Sequence, residues 1–387
     1  MPFADEMLGA QQAEALVSIM GDAAGRPLAA TAETARGLDG LSLSGRARAL
    51  AAGLLADVGG DHAVIAAAVR RAFDRPDFDG WLLWPVGLAV ALRGVDEGSA
   101  ESFDGALEVL RELPPRMTSE FAIRPLLRHD LDRGLEHLLS WTADQDWNVR
   151  RLASEGSRPL LPWAERIPRL VTDPSPTLPI LDALFDDPEE SVRRSVANHL
   201  NDHSRAHSAF AVAAARGWLV RGGNGAERTA RHAMRTLVKR GDSGALELLG
   251  FPPAELSVAP LRVTPEAVAL GGAAAFAAAV ENRGASEARL VIDYVLFFPG
   301  ARGDERRKVF KLAQRTLAPG ERALVEGRHV FREISTRRYY PGRHGLALQI
   351  NGVLHDRADF AFGGEEAAPR SARDRSRPRR GTDPSHR

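Results

Sequence analysis

The chain of 387 residues contains no cysteine. Structural disulfides, thiolate metal sites and a cysteine nucleophile are therefore excluded, and a reducing compartment suits the composition. Lysine is also scarce, with only Lys239, Lys308 and Lys311 in the sequence. Because a Schiff-base mechanism needs a well-placed amine, lyase chemistry through an imine is disfavoured as a function of this chain.

Long apolar runs are missing as well. No window approaches about 18 uninterrupted apolar residues, and the first residues, MPFADEMLGAQQ, carry acids where a signal peptide needs basic and apolar segments. We therefore expect a cytoplasmic protein without a membrane partner. The formal net charge is zero, so any nucleic-acid partner must be held by local arginine clusters, because the field of the whole molecule gives little steering.

The sequence also lacks the common catalytic fingerprints, namely the P-loop, the HExxH motif, the nucleophile elbow and the dinucleotide-binding glycines. Its eleven histidines show no convincing metal-ligand spacing. We therefore expect neither a metal nor a cofactor.

Two different patterns divide the chain. Alanine, leucine and arginine at three- and four-residue spacing predict helices through residues 1–255, whereas alternation from about residue 260 to 363 predicts a small all-β domain with a hairpin turn at Asn351-Gly352. Residues 250–260 have the composition of a linker. Residues 364–387, rich in arginine, proline and serine, are predicted to be a disordered basic tail.

The helical part has an internal period. Arg150, Arg193 and Arg235 recur at intervals of 43 and 42 residues, which is typical of solenoids built from paired helices. Stacked helix pairs form a superhelix whose concave face is lined by the second helix of each pair. We therefore expect these arginines to face inward together.

Each repeat carries further charged residues at helical spacing. Arg151 and Glu155 share a face in the first repeat, as do Arg194, Asn198 and Asp202 in the second. A basic stripe follows in the third repeat, formed by Arg228, Arg231, Arg235 and Lys239. Arginine forks match phosphate oxygens, so the pattern favours phosphate binding, although pairing with acids or capping of neighbouring helices is an equally weighted alternative.

The acids of this region are harder to explain by packing. Glu155 is predicted in the last turn of its helix, and Asp202 also falls near a helix end, where the dipole disfavours anions. Acids placed there, among arginines, suggest a site that meets a developing positive charge. Glu120 follows Ser119, so capping of a first helical turn is its simplest interpretation. Trp163 follows a loop and a proline, and a core position is its alternative.

Four segments resemble one family, the DNA alkylation repair glycosylases of the AlkC branch, which are relatives of the AlkD group. They are SEFAIRPLL from Ser119, NVRRLASEGSRPLLPW from Asn148, VRRSVANHLND from Val192 and STRRYYPGRHGLALQINGV from Ser335. The likeness runs from about Leu41 to Phe362. It implies a HEAT-like repeat solenoid at residues 1–255, an immunoglobulin-like β-sandwich at 260–363, and excision of cationic N-alkylated bases such as 3-methyladenine, with N3-methylcytosine and N1-methyladenine as further substrates.

Carried over position by position, the resemblance places Glu120, Glu155 and Asp202 at the family's functional acids. It places Trp163 at an aromatic near the lesion and Arg151 at a DNA-contacting arginine. Trp147 departs from the small residue or proline expected there, without touching the catalytic set. The resulting hypothesis is a monomeric, monofunctional DNA glycosylase acting on alkylated double-stranded DNA.

The full set of residues expected to contact DNA comes from both predicted domains. They are Arg151, Arg158, Arg194, Asn198, Arg231, Arg235, Lys239, Arg337, Arg338 and Tyr339. The last three precede a Pro-Gly turn signal, where loop ends often serve recognition, although a core and corner role for the tyrosines is the alternative. The main alternative for the whole protein is a non-catalytic DNA-binding or scaffold protein with the same fold.

Overall fold

The computed structural model describes residues 4–334 and 337–363. It divides into two compact units, Met1–Leu249 and Gly250–Arg387. The predicted basic tail, residues 364–387, and the two residues 335 and 336 lie outside the described part of the chain.

The first unit is helical. Its helices are α1 (Ala4–Leu8), α2 (Ala10–Ala24), α3 (Ala29–Arg36), α4 (Leu43–Val58), α5 (His62–Ala72), α6 (Leu83–Asp96), α7 (Ala100–Glu112), α8 (Arg124–His129), α9 (Leu131–Trp141), α10 (Trp147–Gly156), α11 (Pro168–Thr172), α12 (Leu178–Leu184), α13 (Glu190–His203), α14 (Ser208–Arg221), α15 (Ala226–Ala233), α16 (Arg235–Arg240) and α17 (Ser243–Leu248). Among the described residues no single helix is long and apolar enough to cross a membrane; only the bent pair Leu43–Val58 and His62–Ala72 would pass on length and composition together.

Helices α10, α13 and α15 stack side by side, and the first two carry the repeated arginines Arg150 and Arg193. Each begins after a short polar loop, and α10 is capped by the Asp146 carboxylate, which accepts a hydrogen bond from the Asn148 amide. Apolar residues at three- and four-residue spacing, such as Val149, Leu152 and Ala153, turn one face of α10 into the core. The charged residues between them are left for the opposite face.

Two of the three repeated arginines, Arg150 and Arg193, bind backbone carbonyls of nearby loops. Nη1 of Arg150 donates to the carbonyls of Asp144 and Gln145 at 2.8 and 3.0 Å. Nη1 of Arg193 donates in the same way to the carbonyls six and five residues before it, those of Asp187 and Pro188. The expectation that the repeated arginines face inward together is therefore wrong for these two, because their guanidinium groups donate to carbonyls of the loops that precede their own helices.

The third arginine of the period is not equivalent to the first two. Arg235 begins α16 and donates to the carbonyl of His232 and to the side-chain oxygen of Asn198, both at 2.9 Å. The predicted basic stripe is also broken, because α15 ends at Ala233 and a new helix begins at Arg235.

The second unit is a β-sandwich. Its strands are β1 (Leu256–Val258), β2 (Arg262–Thr264), β3 (Ala267–Val268), β4 (Ala273–Asn282), β5 (Ala288–Pro299), β6 (Glu305–Leu317), β7 (Arg322–Val330), β8 (Gly342–Ile350) and β9 (Val353–Phe362). One sheet joins β1, β2 and β7 to β4, and the other has the order β3-β9-β8-β5-β6. Strand β1 lies inside the segment expected to be a linker.

The sandwich core explains the alternation in the sequence. Side chains from both sheets, including Phe276, Leu296, Leu348 and Phe360, are buried between them. The predicted hairpin turn is confirmed: Ile350 pairs with Val353, and Asn351 and Gly352 both have positive φ, 44° and 82°. These values suit a tight two-residue turn, which asparagine and glycine adopt with little strain.

Replacement of Arg150 tests whether this side chain stabilises the loops that it binds. Its guanidinium also forms a two-point ion pair with the buried Asp187 carboxylate, at 2.6 and 3.1 Å. Arg150→Ala leaves that carboxylate unpaired and should lower the free energy of unfolding by about 3 kcal/mol. Urea denaturation measures the change. Arg231→Ala, at an exposed pair with Glu227, is the matched control and should cost less than about 1 kcal/mol; equal losses would contradict the assignment.

Candidate active site

The end of α10 places a buried acid where a helix disfavours one. Glu155 lies in the last turn of the helix, as predicted, and only 6% of its surface is exposed. The C-terminal end of the helix dipole repels a carboxylate. Since burial adds a further desolvation cost, Glu155 depends on positively charged neighbours.

Those neighbours form an acid–arginine network, which we define as Glu120, Arg151, Glu155, Arg158 and Asp202. Arg151 donates to Glu120 at 3.0 Å, and its other terminal nitrogen lies 3.9 Å from Glu155. Arg158 donates to Glu155 at 2.6 Å through Nη1 and to Asp202 at 2.9 Å through Nε. The charges thus alternate in space, with three carboxylates around two guanidinium groups, and Arg205 and Arg235 lie close enough to act on Asp202 as well.

A serine that the sequence reasoning missed completes the environment of Glu155. The Ser195 hydroxyl lies 2.5 Å from Oε2 of Glu155, and Oε1 of the same carboxylate accepts from Arg158. Both oxygens are therefore oriented, while each keeps a free lone pair. Ser195 stands beside Val192 and Val196 on the buried face of α13. A polar residue within an apolar stripe is the signal that could have revealed it.

Burial and the arginines act against each other on the acids. Burial raises the pKa values of Glu120 and Asp202, and the hydrogen bonds and charges of Arg151 and Arg158 offset this only in part. For Arg158, burial acts to lower the pKa, but the attraction of Glu155 and Asp202 outweighs it and the pKa is raised. Two carboxylates are therefore held in a state that additional positive charge would stabilise.

A cleft of about 350 Å³ opens above Glu155. Its lining residues are Pro114, Thr118, Trp147, Asn148, Arg151, Glu155, Ser191, Arg194, Ser195 and Asn198. Trp147, which sequence reasoning set aside, contributes a partly exposed indole. Two other members of the network, Glu120 and Asp202, lie behind this lining and reach Glu155 only through the arginines.

The structure revises the simplest interpretation of Glu120. This residue lies in a turn before α8 and not in the first helical turn, and the Ser119 hydroxyl donates to the Leu110 carbonyl at 2.7 Å. Ser119 and Glu120 are therefore not a helix cap. The Glu120 carboxylate is instead buried against Arg151 and the Thr118 hydroxyl.

Trp163 does not line this cleft. It stands in the loop after α10 with 52% of its surface exposed, which contradicts the core alternative considered for it. Its contact with a lesion remains a prediction.

The other helical residues predicted to contact DNA differ in their exposure and in their contacts within the protein. Arg194 is exposed at the cleft, and its guanidinium donates to the Ser191 hydroxyl at 3.4 Å. Asn198 accepts a hydrogen bond from Arg235, whereas Arg231 pairs with Glu227 on the surface of α15. Lys239 is exposed in the last turn of α16.

In the β-domain the geometry favours the structural alternative for two predicted residues. The Tyr339 hydroxyl is hydrogen-bonded to His329 and Arg337, and its ring packs against Phe331 at 4.9 Å. The Arg337 guanidinium lies over the rings of Phe310 and Tyr339, each at 5.1 Å. These side chains are thus used inside the domain. Arg338 is exposed.

Among the described residues, no group of three or more histidine, aspartate or glutamate side chains is arranged to hold a metal ion.

Comparison with known proteins decides the family. The structure matches the alkylpurine DNA glycosylase AlkC of Pseudomonas fluorescens, solved bound to DNA containing an abasic site analog, with a TM-score of 0.76, 30% identity, and coverage of 94% of this chain and 100% of that one. The protein YhaZ of Bacillus subtilis, which is uncharacterised, is 36% identical over 267 residues, covering 69% of this chain and 74% of YhaZ. The chain belongs to the AlkC/YhaZ family.

The family model for the C-terminal immunoglobulin-like domain of YhaZ matches residues 257–363. This range coincides with the β-sandwich described above. The predicted architecture of the AlkC/YhaZ chain, a helical solenoid followed by an immunoglobulin-like domain, is thereby confirmed.

Arg158 is the residue on which the network can be tested. Arg158→Met leaves two buried carboxylates without their shared partner and should lower the free energy of unfolding at neutral pH by about 3–5 kcal/mol. Without the guanidinium, the folded-state pKa of Asp202 rises further above its unfolded value, so the penalty is complete above that raised pKa and disappears as pH falls toward 3.8, the ordinary value for an aspartate.

Urea denaturation at a series of pH values measures this effect. Arg194→Met serves as the control, because Arg194 is exposed on the neighbouring helix. A penalty in Arg158→Met that does not shrink at acid pH would show that Arg158 stabilises the fold by packing and not by charge.

Proposed function

We propose that this protein is a monofunctional DNA glycosylase that hydrolyses the N-glycosidic bond of cationic alkylated bases in duplex DNA. The observation that carries the proposal is the network of buried carboxylates, held by arginines, beneath a cleft that carries exposed arginine. Membership of a family that includes an alkylpurine DNA glycosylase supports the same function. The substrates we propose are 3-methyladenine, with N3-methylcytosine and N1-methyladenine as further bases.

The chemistry of such bases explains why the site needs carboxylates. A base alkylated at a ring nitrogen is already cationic, so it leaves as a neutral molecule when the glycosidic bond breaks and its electron pair stays on the base. Positive charge then develops on the sugar. Fixed negative charge aimed at that position lowers the barrier, since it requires no reorganisation during the reaction.

Glu155 is the acid best placed for this role, because it lines the cleft. It would stabilise the sugar cation and accept the proton of the water that adds to the anomeric carbon. Arg158 and Ser195 hold its two oxygens, and Asp202 holds Arg158 from the other side. Asp202 and Glu120 contribute charge from one side chain further away.

The distribution of lysine supports a monofunctional enzyme. A bifunctional glycosylase forms an imine between an amine and the sugar, which leads to strand cleavage. No lysine is among the residues that line the cleft. Water is therefore the nucleophile that the site favours.

Substitution of the acids tests the proposal. Glu155→Gln and Asp202→Asn should each reduce release of 3-methyladenine from methylated duplex DNA about a hundredfold or more, because each removes charge directed at the transition state. Base release is measured by chromatography, and strand nicking is followed on the same samples. Thermal unfolding of both variants verifies that they are folded.

Two results would contradict the proposal. Wild-type excision by both variants would favour the alternative of a DNA-binding or scaffold protein without catalysis. Lesion-dependent strand cleavage by the pure protein would contradict the monofunctional mechanism.

Replacement of Arg194 tests whether the cleft contacts DNA phosphate. Arg194→Ala should weaken binding to damaged and undamaged duplex alike and reduce the slope of log K against log salt by about one unit, because one phosphate contact is lost. Titration at several salt concentrations measures the slope. Arg150→Lys is the comparison variant, because it keeps the positive charge at a residue that binds the loop before its own helix. An unchanged slope in Arg194→Ala would show that this side chain does not contact phosphate.

A further inference from the structure

A buried histidine lies behind the candidate active site. His199 is in the middle of α13, and none of its surface is exposed. It does not line the cleft above Glu155. Nδ1 of its imidazole lies 2.9 Å from the carbonyl oxygen of Ser154, the residue that precedes Glu155. His199 therefore contacts the turn of helix that carries the acid assigned to the reaction.

The last turn of α10 depends on donors from outside the helix. The final four carbonyls of a helix have no amide partner within it, and a buried carbonyl without a donor costs free energy. The Ser157 hydroxyl has one proton, and it lies closer to the Ala153 carbonyl, at 2.7 Å, than to that of Ser154, at 3.3 Å. The Ser154 carbonyl therefore relies on His199. The donors to the four carbonyls are Ser157 Oγ for Ala153, His199 Nδ1 for Ser154, the Arg158 amide for Glu155 and Arg124 Nη1 for Gly156.

The contact with Ser154 decides which nitrogen of His199 carries the proton. A carbonyl oxygen only accepts hydrogen bonds, so Nδ1 must be protonated and donate. Burial holds the pKa of His199 well below its usual range, and the charges of His203 on α13 and of Arg158 and Arg124 on other segments act in the same direction. The ring is therefore neutral at pH 7, with its one proton on Nδ1. Nε2 is buried and has no hydrogen-bond partner among the described residues.

His199 lies between two side chains of α13 that bind the acid–arginine network. Ser195, four residues before it, contacts Glu155, and Asp202, three residues after it, accepts from Arg158. These spacings place Ser195, His199 and Asp202 on one side of α13, and α13 packs against α10. Three successive contacts therefore align α13 with the end of α10, and the contact made by His199 is to the main chain.

We propose that His199 is a positioning residue, which holds the last turn of α10 through Nδ1 and thereby keeps the Glu155 carboxylate at the cleft. This role rests on the proposed function, because it concerns the excision reaction. When the Ser154 carbonyl loses its donor, the turn loosens and Glu155 shifts; a displacement of about 1 Å can cost about a hundredfold in rate. Packing alone does not account for the histidine, since a leucine fills a similar space without burying an unpaired ring nitrogen.

Two substitutions separate the hydrogen bond from packing. His199→Leu fills the space but has no donor, whereas His199→Asn keeps an N–H group near the place of Nδ1 but is smaller. Single-turnover release of 3-methyladenine should fall about tenfold or more in His199→Leu, with duplex affinity unchanged, and should stay within about threefold of the wild type in His199→Asn. Thermal unfolding should rank the two variants in the opposite order, because the smaller asparagine leaves a cavity.

His203→Leu is the matched control. His203 is also buried, one turn further along α13, but its Nε2 lies 3.1 Å from the Thr177 hydroxyl and so binds a different segment. This variant should release 3-methyladenine at the wild-type rate. An equal loss in His203→Leu, wild-type excision by His199→Leu, or excision that follows thermal stability across the variants would each overturn the proposal.

The proton on His199 is measured without DNA. In ¹⁵N NMR spectra of the imidazole groups of the full chain, the signals that vanish in His199→Leu belong to His199, and they should report a neutral ring protonated on Nδ1 from about pH 6 to 8. A proton on Nε2, or titration near the ordinary value of 6.5, overturns the proposal whatever the protein does to DNA.

The wild-type assay separates this proposal from the proposed function. A wild type that releases no base contradicts the proposed function, and the positioning role with it. An active wild type with an equally active His199→Leu contradicts the role of His199 alone.

Discussion

The guanidinium of Arg158 is the interaction on which the functional end of the helical unit depends. It is bound on one side by Glu155 and on the other by Asp202, so it links the ends of α10 and α13. Burial of these carboxylates is costly, because desolvation of a carboxylate costs several kcal/mol, and the Arg158 guanidinium offsets part of that cost for both acids. Glu120 has its own partner in Arg151, so each of the three carboxylates contacts a guanidinium group. The two arginines thereby hold three acids from separate segments of the chain in one place.

The fold supplies the rigidity that this arrangement requires. The two-point ion pair between Arg150 and Asp187 fixes the loops between neighbouring repeats, and Arg124 fixes the chain just after Glu155 by binding the Gly156 and Arg158 carbonyls. Most of the arginine around the site therefore contacts protein and not solvent. Arg194, by contrast, is exposed at the cleft, where its guanidinium contacts only the edge of its own helix through the Ser191 hydroxyl among the described hydrogen bonds. Loops held by buried arginines let a solenoid place side chains from two repeats within hydrogen-bond distance.

The sequence predicted the architecture, and the three acids it singled out lie in one network, but it did not tell which arginine binds which group. The Val-Arg-Arg element puts two cations side by side in each repeat, and consecutive helical residues point about 100° apart. Arg150 and Arg193 therefore turn to the loops while Arg151 and Arg194 turn to the cleft, and spacing alone does not tell which member of each pair does so. Asn351-Gly352 was predictable because its turn is decided locally. The partners of Glu120 and Tyr339 were not, since both depend on contacts between segments distant in the chain.

The free-energy cost of burying carboxylates favours a catalytic role for the network over a role in DNA binding alone. A surface that only holds phosphate needs cations, and carboxylates behind those cations weaken the attraction. Replacing a buried ion network by apolar residues is often neutral or stabilising for the fold. The described network therefore serves neither phosphate binding nor stability as well as a simpler core would. The exposed arginine at the cleft and the carboxylates behind it carry opposite charges. This arrangement suits a ligand whose outside is anionic and whose reacting centre becomes cationic. A DNA strand that loses a positively charged base is such a ligand, which is why the geometry favours glycosylase chemistry over binding alone.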